Sequence, residues 1–147
     1  MPLDTDHFRK LENLYLSAPT NEYYAPSISI SEGRAEVCIP IVPKLFHAAN
    51  AAHGAVYFKA VDDACFFAVN SLVREVFVLT TQLNVYLTRP ISKGALTAVG
   101  RVAHASKSLF VAEAVVTDSE GREIARGSGT FVRSKMPLAE DIGYILR

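Results

Sequence analysis

His47–Ser71 reads HAANAAHGAVYFKAVDDACFFAVNS, and from His53 onward it shows no alternation of apolar and polar residues. Val56, Phe58, Val61, Ala64, Cys65, Phe66, Phe67 and Ala68 leave no broad polar face. The segment from roughly His53 to Leu72 is therefore expected as a helix buried in the middle of its domain. Beyond it the chain is strand-like: VFVLTTQLNVYL, ALTAVGRVAHA, LFVAEAVVTD and REIARGSGTFV, separated by RPISKG, SK and SEG, give four successive strands between Val76 and Arg133. Upstream, SISISEGRAEVCIPIV alternates on both sides of Glu32-Gly33 as a hairpin does, with Pro40 and Pro43 closing its second strand. At the start, Phe8, Leu11, Tyr15 and Ala18 fall at helical spacing, with Asp4 or Thr5 as N-cap and Pro19 beyond the end. The tail MPLAEDIGYILR reads as a loosely attached helix.

These elements imply an α+β domain, an antiparallel five- to six-stranded sheet wrapped around a long central helix. One domain over residues 1–147 is expected, with an N-terminal helix at about 4–18, a core at about 26–133 and a tail at 134–147. So small a sheet cannot enclose a wholly apolar helix alone, so a second copy is expected to extend it as a symmetric homodimer.

The chain has 147 residues, half of them hydrophobic, which suits one sizeable core. Fifteen Lys plus Arg balance fifteen Asp plus Glu. That balance argues against nucleic acid or an anionic membrane as partner. The most apolar stretch, Ala55–Val69, is broken by Lys59, Asp62 and Asp63 and falls short of a bilayer span. Cys38 and Cys65 make no C-x-x-C motif, and MPLDTDHFRK has no apolar signal core, so a reducing cytoplasm is the expected compartment.

Two features of the central segment bear on chemistry. Gly54 stands at the helix start, where backbone N–H groups lack intrahelical partners and the helix dipole is positive. Without a side chain it lets a ligand carbonyl approach the backbone, although a glycine there can also be a simple turn residue. Asp62 and Asp63 lie inside an apolar helix, where an unpaired carboxylate is expensive. Lys59, four residues before Asp63 and three before Asp62, suits Asp63 as an ion-pair partner. Asp62 is then left to face a site in which desolvation raises its basicity. Cys65 reads as packing, since nothing beside it would lower its pKa.

The order H-G-A-x-x-x-x-x-x-D from His53 to Asp62, the Asn70-Ser71 pair and L-T-T-Q-L-N-V-Y-L-T-R-P-I-S-K-G from Leu79 resemble the hotdog-fold acyl-CoA thioesterases. The resemblance is strongest to the phenylacetate-pathway branch typified by PaaI, and it covers about Arg34 to Val132. It implies hydrolysis of a small or medium acyl-CoA to free acid and CoA, with an aromatic acyl group among the candidates. The sites would lie between protomers of a dimer or dimer of dimers, with no metal and no cofactor beyond the coenzyme A of the substrate. It further implies Asp62 as general base or nucleophile, the Gly54 N–H as oxyanion donor, and His53 shaping the loop before the helix. Thr80 would hold the attacking water, and Arg89 and Lys107 would meet the coenzyme's phosphates.

The chain departs from the family pattern where a side-chain amide often helps bind the thioester oxygen. That position is His47, and Asn50 stands where a glycine is usual, so either could supply the second donor; Ala55 replaces a second glycine. For Thr80 the resemblance and the alternation disagree. Strict period-two counting turns Thr81 toward the helix and Thr80 away, unless a bulge changes the phase. Tyr57, Phe58, Phe66 and Phe67 are candidates for lining an aromatic acyl pocket. The rival reading is a non-catalytic acyl-CoA sensor of the same fold.

Overall fold

The computed structural model of the chain describes residues 5–147. Helices α1 (Thr5–Ser17) and α2 (Pro19–Tyr24) precede the hairpin strands β1 (Ser27–Ser31) and β2 (Arg34–Pro40). A 3₁₀ turn at Pro43–Leu45 and a loop lead into α3 (Gly54–Asn70), followed by β3 (Val76–Leu87), β4 (Ala95–Ala105), β5 (Phe110–Thr117) and β6 (Glu123–Pro137). The strands form one antiparallel sheet in the order β1-β2-β4-β5-β6-β3, with α3 packed across it. The twelve-residue β3 is thus an outer strand, with one flank of its backbone unpaired among the described residues.

Small residues let α3 lie close to the sheet. Ala60, Ala64 and Ala68, four residues apart, are fully buried, and Gly100 of β4 passes beneath them. A Cβ on Gly100 would sit 2.5 Å from the carbonyl of Ala64, inside backbone rather than a movable side chain. Gly100→Ala is therefore expected to push α3 off the sheet and to destabilise the fold by about 1–3 kcal/mol, read as a lower urea midpoint.

The chain ends differ from the sequence expectation. The cap foreseen at Asp4 lies outside the described residues, and α1 itself covers Thr5–Ser17. Beyond α1 the chain does not run straight into the hairpin: Pro19, pre-set for a first helical position, begins the short α2, which closes on Ala25 at φ 51°. The tail is neither helical nor loose. Strand β6 takes it as far as Pro137, a 3₁₀ turn follows at Glu140–Ile142, and Ile142 and Tyr144 pack against the core. His7, buried on α1, donates its Nε2–H to the Asn70 carbonyl at 3.0 Å, with its Nδ1 2.7 Å from the Tyr144 hydroxyl. A buried imidazole requires such partners, and here they tie both chain ends to the end of α3. Among the described residues, no helix is long and apolar enough to cross a membrane.

Candidate active site

Asp62 and Asp63 share the middle of α3 but not their surroundings. Asp63 Oδ2 accepts from Lys59 Nζ at 2.8 Å and from the Tyr15 hydroxyl of α1 at 2.6 Å. The Lys59 ammonium also lies over the Tyr15 and Tyr24 rings, at 5.5 and 5.0 Å from their centroids. Burial pushes the Asp63 carboxyl up, and Lys59 and Tyr15 oppose it. With these partners, Asp63 is held as a structural anion between α3 and the N-terminal helix.

Asp62 Oδ1 accepts a single hydrogen bond, from Thr80 Oγ1 at 2.8 Å, leaving Oδ2 without a partner among the described residues. Desolvation by burial raises the Asp62 carboxyl above the ordinary carboxylate range. The Thr80 hydrogen bond opposes that rise, the nearby Asp63 charge adds to it and Lys59 opposes it. A carboxylate so placed is a stronger base than one in water. It opens on a cavity of about 200 Å³ walled by Leu14, Tyr15, Ala18, Phe66, Phe67 and Phe77. Of the four aromatic candidates for such a pocket, Phe66 and Phe67 line it. Tyr57 instead donates its hydroxyl to the Arg89 carbonyl at 2.8 Å, and Phe58 is 49% exposed on the first turns of α3.

A bulge explains which threonine meets Asp62. Thr80 pairs with Phe131 and Gln82 with Thr130, so Thr81 is an extra residue on β3. Before it Val78 and Thr80 face α3; after it the inward positions are Leu83 and Val85. Thr81 turns outward and bonds Thr130. The period-two expectation for Thr81 is thereby corrected: one inserted residue reverses the phase of the strand.

At the start of α3, His53 (φ −60°, ψ 145°) is the N-cap, its Nδ1 accepting from the Ala55 N–H at 2.9 Å. The His53 N–H donates to Leu45 O and the Val56 N–H to His53 O. The Gly54 N–H lies between these engaged donors and meets no acceptor among the described residues. Helix-dipole and N–H direction both favour a negatively charged oxygen there.

Asn50 adopts the left-handed conformation at φ 63°, giving the loop before the helix its turn. His47 is exposed and accepts the Ala49 N–H on Nδ1 at 3.0 Å, so its neutral ring keeps Nε2–H as a donor. Arg89 is exposed near the start of α3. Lys107 is exposed in the β4–β5 turn, where Arg133 donates to its carbonyl. Burial and the charges of Asp62 and Glu113 push the Cys65 thiol up to about 12, which leaves it inert at neutral pH. Among the described residues, no three His, Cys, Asp or Glu side chains cluster as metal ligands would.

The structure joins Asp62 to Thr80 but keeps Asp62 apart from Gly54. Eight residues of helix separate them, a rise of about 12 Å. One thioester carbonyl cannot touch both groups of the same chain.

A family model described as the thioesterase superfamily matches residues 49–125, just over half of the chain. The chain belongs to the thioesterase superfamily. The matched segment holds His53, Gly54, Asp62, Thr80, Arg89 and Lys107, while His47 and the α1–α2 pair lie before it. The chain is 32% identical over 89 residues to SSO1253 of Saccharolobus solfataricus, a protein described as an esterase. That match spans 60% of this chain and 59% of the relative. Among solved structures, the PaaI protein of the E. coli phenylacetic acid degradation operon superposes with a TM-score of 0.84, at 20% identity, over 92% of this chain and 99% of that one. A thioesterase family protein from Silicibacter pomeroyi does so with a TM-score of 0.77, at 24% identity, over 84% of this chain and 95% of its own. At these identities the structural likeness is one of fold, and that fold is the hotdog of the thioesterase superfamily.

Proposed function

We propose that this protein is an acyl-CoA thioesterase of the PaaI-like branch, with Asp62 of one copy and the Gly54 N–H of a second copy acting on one thioester. The observation that carries the reading is a basic carboxylate that lines a cavity and keeps Oδ2 without a partner, together with a helix-start N–H that meets no acceptor among the described residues.

A thioester suits that equipment. Sulfur donates little resonance to the carbonyl, and the thiolate departs readily, so one carboxylate and an oxyanion donor suffice. In the direct form of the reaction, water held between Asp62 Oδ2 and the carbonyl carbon gives its proton to the carboxylate. Its oxygen bonds to carbon, and the carbonyl oxygen takes the negative charge toward the Gly54 N–H. Collapse of that intermediate breaks the C–S bond, and Asp62 returns the proton to the departing thiolate.

The placing of the two groups along β3 supports a second copy. Thr80, bonded to Asp62, lies toward one end of the strand. Leu87, whose Cδ1 lies 3.1 Å from the place of a Cβ on Gly54, lies at the other. Antiparallel pairing of two β3 strands about a two-fold axis near Leu83–Asn84 brings Thr80 of one copy beside Leu87 of the other. It also covers Leu79, Leu87 and Phe58, which are 48, 53 and 49% exposed in a single chain. His47, with its donor Nε2–H in the loop before α3, is the proposed second oxyanion ligand. Arg89 and Lys107 are the proposed contacts for the coenzyme's phosphates.

Thiol release measured across a panel of acyl-CoAs tests the reaction. Turnover of some of them is the expected result; binding of the esters with no thiol release would instead support the sensor reading. The pH profile gives a second check. Asp62 must be ionised to accept a proton, so kcat/KM should fall as pH drops through its raised pKa. Thr80→Val removes the hydrogen bond that favours the ionised form and should move this acid limb to higher pH, with the plateau rate changed far less than by loss of Asp62.

A further inference from the structure

Leu14, Ala18 and Phe77 line two cavities at once: the one beside Asp62 and a second cleft of about 570 Å³ near the C-terminal turn, bounded by Met136 and Ile142 and, at its charged rim, by Glu140, Asp141 and Arg147. These shared side chains separate the two spaces. Phe77 is half-buried, its ring centroid 4.8 Å from that of Phe66, so the ring is braced from the Asp62 side. The cavity has a mixed lining: Asp62, Thr80, the Lys59–Asp63 ion pair, Thr20 and Asn21 are polar, while Leu14, Phe66, Phe67 and Phe77 supply apolar wall.

We propose that Leu14, Ala18 and Phe77 form a partition that sets the acyl-length limit of the site, with the C-terminal cleft as a latent extension behind it. The proposal rests on the thioesterase reading of Asp62. An apolar cavity of about 150 Å³ takes up benzene, so about 200 Å³ admits a ring-sized acyl group with its carbonyl at Asp62. A long straight chain entering from Asp62 runs into Phe77. Two of the three partition residues belong to the N-terminal helical segment, outside the part of the chain that matches the superfamily. Length selection is therefore assigned in part to α1 and the residue that joins it to α2, outside residues 49–125.

Acyl-CoA hydrolysis profiles from acetyl through benzoyl, hexanoyl and octanoyl to dodecanoyl and palmitoyl, taken for the wild type, Ala18→Leu and Phe77→Ala, test this. The wild type should fall off beyond octanoyl. Ala18→Leu, which narrows the cavity, should lower kcat/KM for benzoyl- and hexanoyl-CoA by about tenfold or more relative to acetyl-CoA. Phe77→Ala, which joins the two spaces, should raise dodecanoyl-CoA by about tenfold or more relative to benzoyl-CoA. Ala18 precedes α2 at φ −64° and ψ 133°, a conformation open to any residue, so this variant carries the test if Phe77→Ala does not fold.

Calorimetry with S-alkyl-CoA thioethers, which cannot be hydrolysed, repeats the comparison without turnover. Loss of hexyl-thioether affinity in Ala18→Leu by a chain that hydrolyses nothing would refute the reaction and uphold the partition. Hydrolysis with a length profile untouched by either folded variant would overturn the partition and leave the reaction standing. A wild type that shows no length limit, or binds no thioether, would also overturn it.

Discussion

Asp62→Asn is expected to lower kcat for acyl-CoA hydrolysis by roughly 10²–10⁴-fold while leaving affinity for the ester largely intact, because the carboxylate acts on the proton in flight and not on the bound ground state. The amide keeps the shape of the side chain and can still accept from the Thr80 hydroxyl, so the loss reports chemistry and not packing. The same variant has a stability signature set by the burial of its carboxylate. The folded pKa of Asp62 is raised by burial above its unfolded value, so the native state binds more protons across that interval. Stability then falls as pH rises through the interval, and at neutral pH the carboxylate opposes folding. Thermal unfolding of Asp62→Asn should therefore occur at or above the wild-type temperature at neutral pH, with the gap closing as pH falls below the ordinary carboxylate range. At neutral pH Asp63→Asn should instead unfold at a lower temperature than the wild type, although burial raises this carboxyl too and gives its pH trend the same sign. Its charge is met by Lys59 and Tyr15, and removing it strands the Lys59 ammonium, which is itself mostly buried.

The division of labour between these two aspartates was half legible in the sequence. The i,i+4 spacing assigns Lys59 to Asp63, a short-range rule of helix geometry. Tyr15 lies 48 residues away in sequence, and no local pattern announces its bond to Asp63. Helix α3 was legible because it is apolar around most of its circumference, and β3 to β5 because period-two alternation survives along most of their length. The bulge at Thr81 was not legible. Thr80, Thr81, Gln82 and Asn84 can face either way without penalty, and the choice is made by Asp62 across the core. Ile142 and Tyr144 look like a polar chain's incidental apolar residues until the buried His7 is seen to require a partner. Pro19 was the one available sign of α2, since a proline at a first helical position favours a helix as readily as a turn.

Gly54→Pro tests the oxyanion donor with little disturbance of the fold, and it is expected to reduce kcat by roughly 10²–10³-fold. Proline is tolerated at a first helical position, where no intrahelical hydrogen bond is lost. His53, at φ −60° and ψ 145°, already holds the extended conformation that a following proline demands. The control is Gly54→Ala, which keeps the N–H and adds a Cβ 3.1 Å from the tip of Leu87, an exposed side chain able to move aside. A large loss in the proline variant with a small one in alanine assigns the effect to the N–H; equal losses would assign it to crowding at Leu87. Because Gly54 and Asp62 of one chain stand about 12 Å apart along the helix, the two defects should lie in different halves of a shared site. Mixing Gly54→Pro chains with Asp62→Asn chains, each nearly inactive alone, should restore activity. In the mixed dimer one site combines the intact aspartate of the first with the intact glycine of the second, while the other site carries both lesions. Recovery toward half the wild-type rate per mixed dimer is the expected result, and a mixture no more active than its components, with subunit exchange demonstrated, would place both groups in separate functions.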